Sequence, residues 1–195
     1  MEDTDKSLVE AHCRGDRKAF AELVRRYGAS ILGYLTKITG SRDTAEDLFQ
    51  ETFIRVHQKA HTIRGKNFRP WLFRVATNTA MDGLRRRRRL KMVSLNEPLD
   101  NQSSEQPELT CAVGTDGCEP CNDAVMSEHR EKVRRAIDLL PKRQRATLVL
   151  AYYQQLTYRE VAQVLGCSLG TVKIQMYRAL RTLAARLPEI GGDLK

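Results

Sequence analysis

The chain lacks the long apolar runs from which membrane-spanning helices are built. One of its longest is TLVLAYY at 147–153, far short of the roughly 20 residues that a membrane span needs. The first ten residues, MEDTDKSLVE, are acidic and polar, so we expect no signal peptide. The sequence also has no alternating strand pattern and no internal repeat. These absences predict an all-α, cytoplasmic protein that does not insert into membranes.

Cysteines are few and odd in number: Cys13, Cys111, Cys118, Cys121 and Cys167. An odd count argues against a complete set of disulfides, and a cytoplasmic chain keeps its thiols reduced. A zinc site or a redox pair could in principle form from the three central cysteines and one histidine, namely Cys111, Cys118, Cys121 and His129. The spacing fits no standard zinc finger, and no βαβ pattern supports a thiol enzyme. We therefore expect neither a metal site nor another cofactor.

Lysine and arginine are absent from residues 94–125, which carry seven acidic side chains. Since the whole chain has a net charge of +9 and this segment −7, the remainder carries +16. A basic remainder favours a polyanionic partner such as nucleic acid. The segment is rich in Pro, Gly, Ser and Asn and poor in aliphatic residues, so it cannot bury enough surface to fold alone. These features predict a flexible acidic linker at 94–125 between two small helical domains, 1–93 and 126–195.

Residues 157–187 have the pattern of two helices joined by a glycine turn. Thr157 and Glu160 have the spacing of a capping box, Gly166 suits the left-handed end of a helix, and Ser168 suits the start of the next. The second helix is predicted to bury Val172, Met176, Ala179, Leu180, Leu183 and Leu187, and to expose Thr171, Lys173, Gln175, Arg178 and Arg181. This is the helix-turn-helix pattern, whose second helix enters the DNA major groove. An ordinary helix pair with a solvated charged face fits this segment alone equally well.

The N-terminal half is predicted to contain helices over residues 8–38, from Asp43, and from Pro70. Asp43 and Glu46 have capping-box spacing, and the outer face of their helix is acidic. Such a face is a candidate for a basic protein partner, although solvated helix faces look the same. Residues 61–69 break the periodicity and are predicted to form a loop. Pro70 suits the first turn of a helix that ends in five arginines, Arg85, Arg86, Arg87, Arg88 and Arg89. This run favours contact with phosphates, the alternatives being a solvated helix terminus or a targeting-like basic run.

Two long runs resemble a known family. AEDLFQETFIRVHQKAHTIRG, continuing as RPWLFRVATNTAMDGLRRRRR, resembles region 2 of bacterial RNA polymerase sigma factors of the sigma-70 family. LPKRQRATLVLAYYQQLTYREVAQVLGCSLGTVKIQMYRAL resembles region 4. Because only the acidic linker separates the two, the resemblance is to the extracytoplasmic-function (ECF) subfamily. It implies two helical domains, region 2 and a region 4 with a helix-turn-helix.

The resemblance also implies a role for each surface. The helix at 45–59 would dock on the clamp helices of the largest polymerase subunit through Asp47, Gln50, Glu51 and Arg55. Opening and reading of the −10 element would fall to Lys66, Asn67, Phe68, Arg74, Asn78 and Arg85 to Arg89. The −35 duplex would be contacted by Ser168, Thr171, Lys173, Ile174, Tyr177 and Arg178. Ile174 and Gln175 depart from residues common in relatives, which leaves the −35 preference open.

The partners that the resemblance implies are core RNA polymerase, including its flap region, promoter DNA and an anti-sigma factor. The family does no covalent chemistry of its own, so we do not expect an enzyme. Its acidic linkers thread towards the active-site cleft of the polymerase. Two alternatives stay open from the residues alone. One is a helix-turn-helix regulator that acts without polymerase, and the other is a metal- or redox-responsive factor that uses the linker cysteines.

Overall fold

The computed structural model describes residues 2–63, 67–94 and 123–187. These ranges contain eight α-helices and no strand, as the sequence predicted. The helices are α1 Glu2–Cys13, α2 Arg17–Thr39, α3 Arg42–Lys59, α4 Phe68–Ser94, α5 Asp123–Asp138, α6 Lys142–Leu148, α7 Tyr158–Leu165 and α8 Leu169–Arg186. A 3-10 turn, Ala60–Thr62, follows α3, and a π-helical segment, Val149–Tyr153, continues α6. Within the described ranges, no helix is both long and apolar enough to cross a membrane.

The prediction of a single helix over residues 8–38 is wrong, because two helices, α1 and α2, occupy this range. Gly15 separates them with a φ of 98°, a left-handed conformation that glycine adopts without steric cost. The Asp16 carboxylate then accepts hydrogen bonds from the backbone N–H groups of Lys18 and Ala19 and caps α2. The apolar periodicity hid this break because Val9 of α1 and Leu23 of α2 are buried in the same core.

Three other predicted boundaries shift. Ser41 caps α3 by accepting a hydrogen bond from the N–H of Thr44 (3.4 Å), so Asp43 lies in the first turn and not at the cap. Helix α4 begins at Phe68, two residues before Pro70, which removes Phe68 from the predicted loop. The helix predicted over residues 142–154 is α-helical only as far as Leu148. At α3 the hydrogen bond to Ser41 decides where the helix begins.

Helices α1 to α4 form the first domain around two fully buried aromatic rings. Tyr34 and Phe73 meet edge to face with ring centroids 5.5 Å apart. The hydroxyl of Tyr34 is hydrogen-bonded to that of Thr77 at 2.7 Å, and burial raises the pKa of this tyrosine. At Gly83, an added Cβ would come within 2.8 Å of a Leu48 methyl group. The missing side chain therefore lets α4 lie close against α3, and this brings the C-terminal half of α4 beside the outer face of α3.

Helices α5 to α8 form the second domain, which packs directly against the first. Apolar residues of both domains belong to one buried cluster, to which the second domain contributes Ala146, Val149, Leu150, Leu156, Val161, Val164 and Val172. Arg145 donates to the carbonyl oxygens of Lys37 and Ile38 at the end of α2, both at 3.5 Å. Arg69 donates to the carbonyl of Gln154 at 2.5 Å. We refer to this packing of the two domains as the closed arrangement; the sequence did not predict it.

Candidate nucleic-acid interface

The turn between α7 and α8 has the geometry that the sequence predicted. The Thr157 hydroxyl accepts from the N–H of Glu160 (3.3 Å), and the Glu160 carboxylate accepts from the N–H of Thr157 (2.8 Å), which completes the capping box. Gly166 ends α7 in the left-handed conformation, with φ 62°. Ser168 accepts from the N–H of Thr171 at 3.1 Å and begins α8. These residues fix the angle between the two helices locally, so the helix-turn-helix is confirmed.

The inner face of α8 is narrower than predicted. Val172, Met176 and Ala179 are buried, and Leu183 packs at the edge of the cluster that contains Met176 and Ala179. Leu180 is 52% exposed, so its prediction as a core residue is wrong. The face towards the core runs through Val172, Met176, Ala179 and Leu183, and Leu180 lies at the edge of this face, about 100° around the helix from Ala179.

The outer face of α8 is basic. Lys173, Tyr177 and Arg178 are exposed, and the sequence predicted all three as DNA contacts. Ile174 is exposed on the same face. Neither Lys173 nor Arg178 forms an ion pair with any residue that the structure describes. A helix with unpaired cations and a buried opposite face can accept a polyanion without first breaking internal contacts.

Ser168 and Thr171, also predicted to contact DNA, are placed differently. Their hydroxyls are hydrogen-bonded to each other at 2.9 Å in the cap of α8. Thr171 is half-buried and lines a cleft of about 510 Å³ between the two domains. Asn78 and Arg85 of α4 and Gln175 of α8 line the same cleft. The closed arrangement therefore brings residues predicted for two separate DNA elements to one cavity.

Apart from the arginine run, the residues predicted to read the −10 element fall into three groups. Lys66 lies outside the described residues. Asn67, Arg74 and Asn78 are exposed, and the last two lie one turn apart on α4. Phe68 is only 4% exposed and packs near the rings of Tyr27 and Trp71, with centroids 5.4 and 6.1 Å away. In this conformation Phe68 therefore does not form the accessible wall for a base that was predicted. Its ring is instead buried at the start of α4, where it packs inside the first domain.

The arginine run of α4 turns partly towards α3. Arg86 lies 3.9 Å from the Glu51 carboxylate, and Arg87 lies 3.8 Å from that of Asp47. Arg87 also donates a hydrogen bond to the hydroxyl of Thr44. Arg85 and Arg89 are exposed, and the side chain of Arg88 is not described. Two of the five predicted phosphate ligands are thus engaged within the protein.

The outer face of α3, the predicted polymerase-binding surface, is a network of ion pairs. Arg55 contacts Glu51 at 2.6 Å and Asp82 at 3.3 Å. The side chain of Asp47 keeps 79% of its surface exposed, and Gln50 is exposed as well. Ile54, which the sequence analysis did not single out, is 58% exposed on the same face. Its spacing of three, four and seven residues from Glu51, Gln50 and Asp47 was the signal that could have identified it.

The possible zinc ligands belong to the linker and to the first part of α5. Cys111, Cys118 and Cys121 lie outside the described residues, and His129 lies in α5 without a described side chain. Cys13 is exposed and Cys167 half-buried, and both are free thiols. Within the described ranges, no cluster of three His, Cys, Asp or Glu side chains could hold a metal ion.

Fold and surface together define an all-α, two-domain protein with a DNA-binding helix-turn-helix. Residues 23–90 match the family described as Sigma-70 region 2, and residues 130–183 match Sigma-70, region 4. The ECF RNA polymerase sigma-E factor of Haemophilus influenzae is 34% identical over 180 residues, which cover 90% of this chain and 91% of that protein. The sigma-E factor of Escherichia coli is 32% identical over 177 residues, with 90% of each covered.

Two solved structures share the whole fold. CnrH in complex with the cytosolic domain of CnrY superposes with a TM-score of 0.68 at 21% identity, covering 96% of this chain and 99% of that one. RpoE of Bartonella quintana, in complex with the anti-sigma factor NepR, gives 0.67 at 22% identity, covering 88% and 98%. The chain belongs to the sigma-70 family of RNA polymerase sigma factors, and within it to the ECF group.

Proposed function

We propose that this sigma factor binds core RNA polymerase through α3, reads the −10 element with α4 and the residues before it, and reads the −35 duplex with α8. The observation that carries the proposal is the outer face of α8, where Lys173, Tyr177 and Arg178 are exposed beside a well-capped turn. The chain catalyses no reaction in this scheme, because the polymerase forms the phosphodiester bonds.

In the closed arrangement the protein cannot contact both DNA elements at once. The centres of the −35 and −10 elements lie about 25 base pairs apart, roughly 85 Å at about 3.4 Å per base pair. Asn78 and Thr171, predicted to contact these two elements, line one cleft of about 510 Å³. Binding to both elements therefore requires the two domains to separate. The bonds from Arg145 to α2 and from Arg69 to Gln154 would have to break in that step.

Among the predicted contact residues of α3, Asp47 and Gln50 are the exposed ones, and Ile54 is exposed beside them. Glu51 and Arg55 form ion pairs within the protein, so their charges are largely compensated. They contribute to the shape of this surface more than to the attraction of a charged partner. The partner would be a basic helical segment of the polymerase clamp, which meets the exposed carboxylate of Asp47. Gln50, Glu51 and Arg55 would line the same contact with the clamp.

We also propose an anti-sigma factor as the regulatory partner. RpoE, which shares the fold, was solved in complex with the anti-sigma factor NepR, and CnrH, with the same fold, in complex with the cytosolic domain of CnrY. Such a partner would act by holding the two domains in a form that cannot span the promoter.

Transcription with purified core polymerase tests the function. We expect the wild-type chain to copurify with core enzyme and to start run-off transcripts from promoters mapped in cells that overexpress it. Asp47→Arg should weaken core binding about 100-fold, since it places a cation beside Arg87 and opposite a basic partner. Glu22→Arg, a change at a carboxylate on α2 that pairs with Arg25, is the matched control and should bind normally. Duplex DNA binding without any association with core enzyme would instead favour a regulator that acts alone.

A further inference from the structure

Ile174 is an aliphatic side chain in the middle of the predicted DNA-reading face of α8. It is 52% exposed and belongs to neither buried cluster. The fold does not need it, because Val172, Met176 and Ala179 supply the buried stripe of the helix. Ile174 lies three residues from both Thr171 and Tyr177, so its side chain occupies the surface between them.

Its position along the helix matters as much as its exposure. Ile174 is in the second turn of α8, which begins at the capping residue Ser168. Recognition helices contact base edges mainly through residues near their N-terminal end. Lys173 and Arg178 flank Ile174 and are exposed, so a DNA duplex drawn in by these cations would meet the isoleucine at its bases.

An isoleucine in the major groove can recognise one feature. Its side chain neither donates nor accepts a hydrogen bond, so it gains nothing from the polar edges of guanine, cytosine or adenine. The C5 methyl group of thymine is the apolar group that the four bases present there. A polar base edge placed against Ile174 would also lose its water without receiving a partner, which disfavours the other base pairs.

We propose that Ile174 contacts the C5 methyl group of a thymine and thereby selects an A·T pair at one position of the −35 element. This inference rests on the proposed function, in which α8 reads the −35 duplex.

The test removes a single methyl group from the DNA. Holoenzyme made from core polymerase and the full chain would first select promoter duplexes from a pool randomised in the −35 region. Each thymine of the best-bound duplex would then be replaced in turn by deoxyuridine, which lacks only the methyl group, at one fixed salt concentration. We expect one replacement to weaken wild-type binding about fourfold, as loss of one buried carbon group predicts.

The protein variants complete the test. Ile174→Ala should bind the thymine and uracil duplexes equally, and it should fold normally because the site is exposed and alanine favours helix. Leu180→Ala is the matched control, since Leu180 is on the same helix and is also 52% exposed. It should keep the full fourfold difference between thymine and uracil.

Three outcomes would overturn the inference or its basis. If no thymine replacement changes wild-type binding, or if Ile174→Ala keeps the difference, Ile174 does not read a methyl group. If the wild-type holoenzyme selects no −35 sequence at all, the proposed function of α8 itself fails.

Discussion

Helices α3 and α8 present the two main candidate surfaces of the molecule, and they differ in how their charged side chains are paired. On α3, Glu51 is paired with Arg55 and lies near Arg86, and Asp47 lies near Arg87. On α8, Lys173 and Arg178 have no ionic partner among the described residues. A partner of α3 must therefore displace or accommodate existing ion pairs, whereas a partner of α8 meets uncompensated cations.

The difference has a measurable consequence. Exposed ion pairs contribute little net free energy and leave little charge to attract a distant partner. Affinity at α3 should then depend on shape and on Asp47, whose side chain keeps 79% of its surface exposed although its carboxylate lies 3.8 Å from Arg87, and should respond weakly to salt. Affinity at α8 should depend on released counterions and fall steeply as salt rises.

The strongest test on the α8 side is Arg178→Ala. We expect it to cost about 1–3 kcal/mol at a matched promoter and to relax base preference at one position, because an arginine can pair with a guanine edge in the major groove. Arg181→Ala removes an exposed arginine one turn further along the helix and is the control. Binding would be measured across a set of −35 variants. Equal losses on every sequence for Arg178→Ala would make Arg178 a phosphate contact and not a reader of bases.

Local and long-range features differ in how far the sequence predicted them. The capping box of Thr157 and Glu160, the turn at Gly166 and the cap at Ser168 were predicted because each depends on residues a few positions apart. The same local reasoning failed at Gly15, where uninterrupted apolar spacing on both sides concealed the turn.

Long-range features could not be predicted in this way. The contact of Arg87 with Asp47 joins residues that are far apart in sequence, and it depends on how closely α4 approaches α3 at Gly83. The closed arrangement depends on Arg145 reaching the carbonyl groups of α2. A hydrophobic pattern identifies which face of a helix is buried, but it does not identify the helix that covers that face.

A pair of charge-neutralising variants compares the two surfaces directly. Lys173→Gln should make the salt dependence of promoter binding shallower by about one in the log–log slope, since one phosphate contact is lost. Glu51→Gln should change the salt dependence of core binding by less, because Arg55 already compensates this carboxylate at 2.6 Å. Both slopes would be measured by titration between low and moderate salt with the same holoenzyme components. A larger change for Glu51→Gln would mean that the ion pairs of α3 open on binding.

The smallest effect is expected at Arg87, where the arginine run of α4 contacts the acidic face of α3. The arginine run of α4 resembles a phosphate-binding segment, yet Arg87 donates to Thr44 and lies 3.8 Å from Asp47. Its guanidinium can reach DNA only by giving up part of these contacts, and this offsets most of the gain from a phosphate. We expect Arg87→Ala to weaken binding about twofold on all promoters alike and to flatten the salt dependence slightly.

Arg85 is the matched comparison for Arg87. It is exposed, lines the interdomain cleft and forms no ion pair with the residues that the structure describes. Arg85→Ala should therefore cost more than Arg87→Ala, about threefold, with a larger change in salt slope. Filter binding of both variants to the same promoters over a salt series would measure this difference. If Arg87→Ala gave the larger loss, the contact between Arg87 and Asp47 would have to break when the protein binds DNA. This ion pair between α4 and α3 would then form only in the free protein.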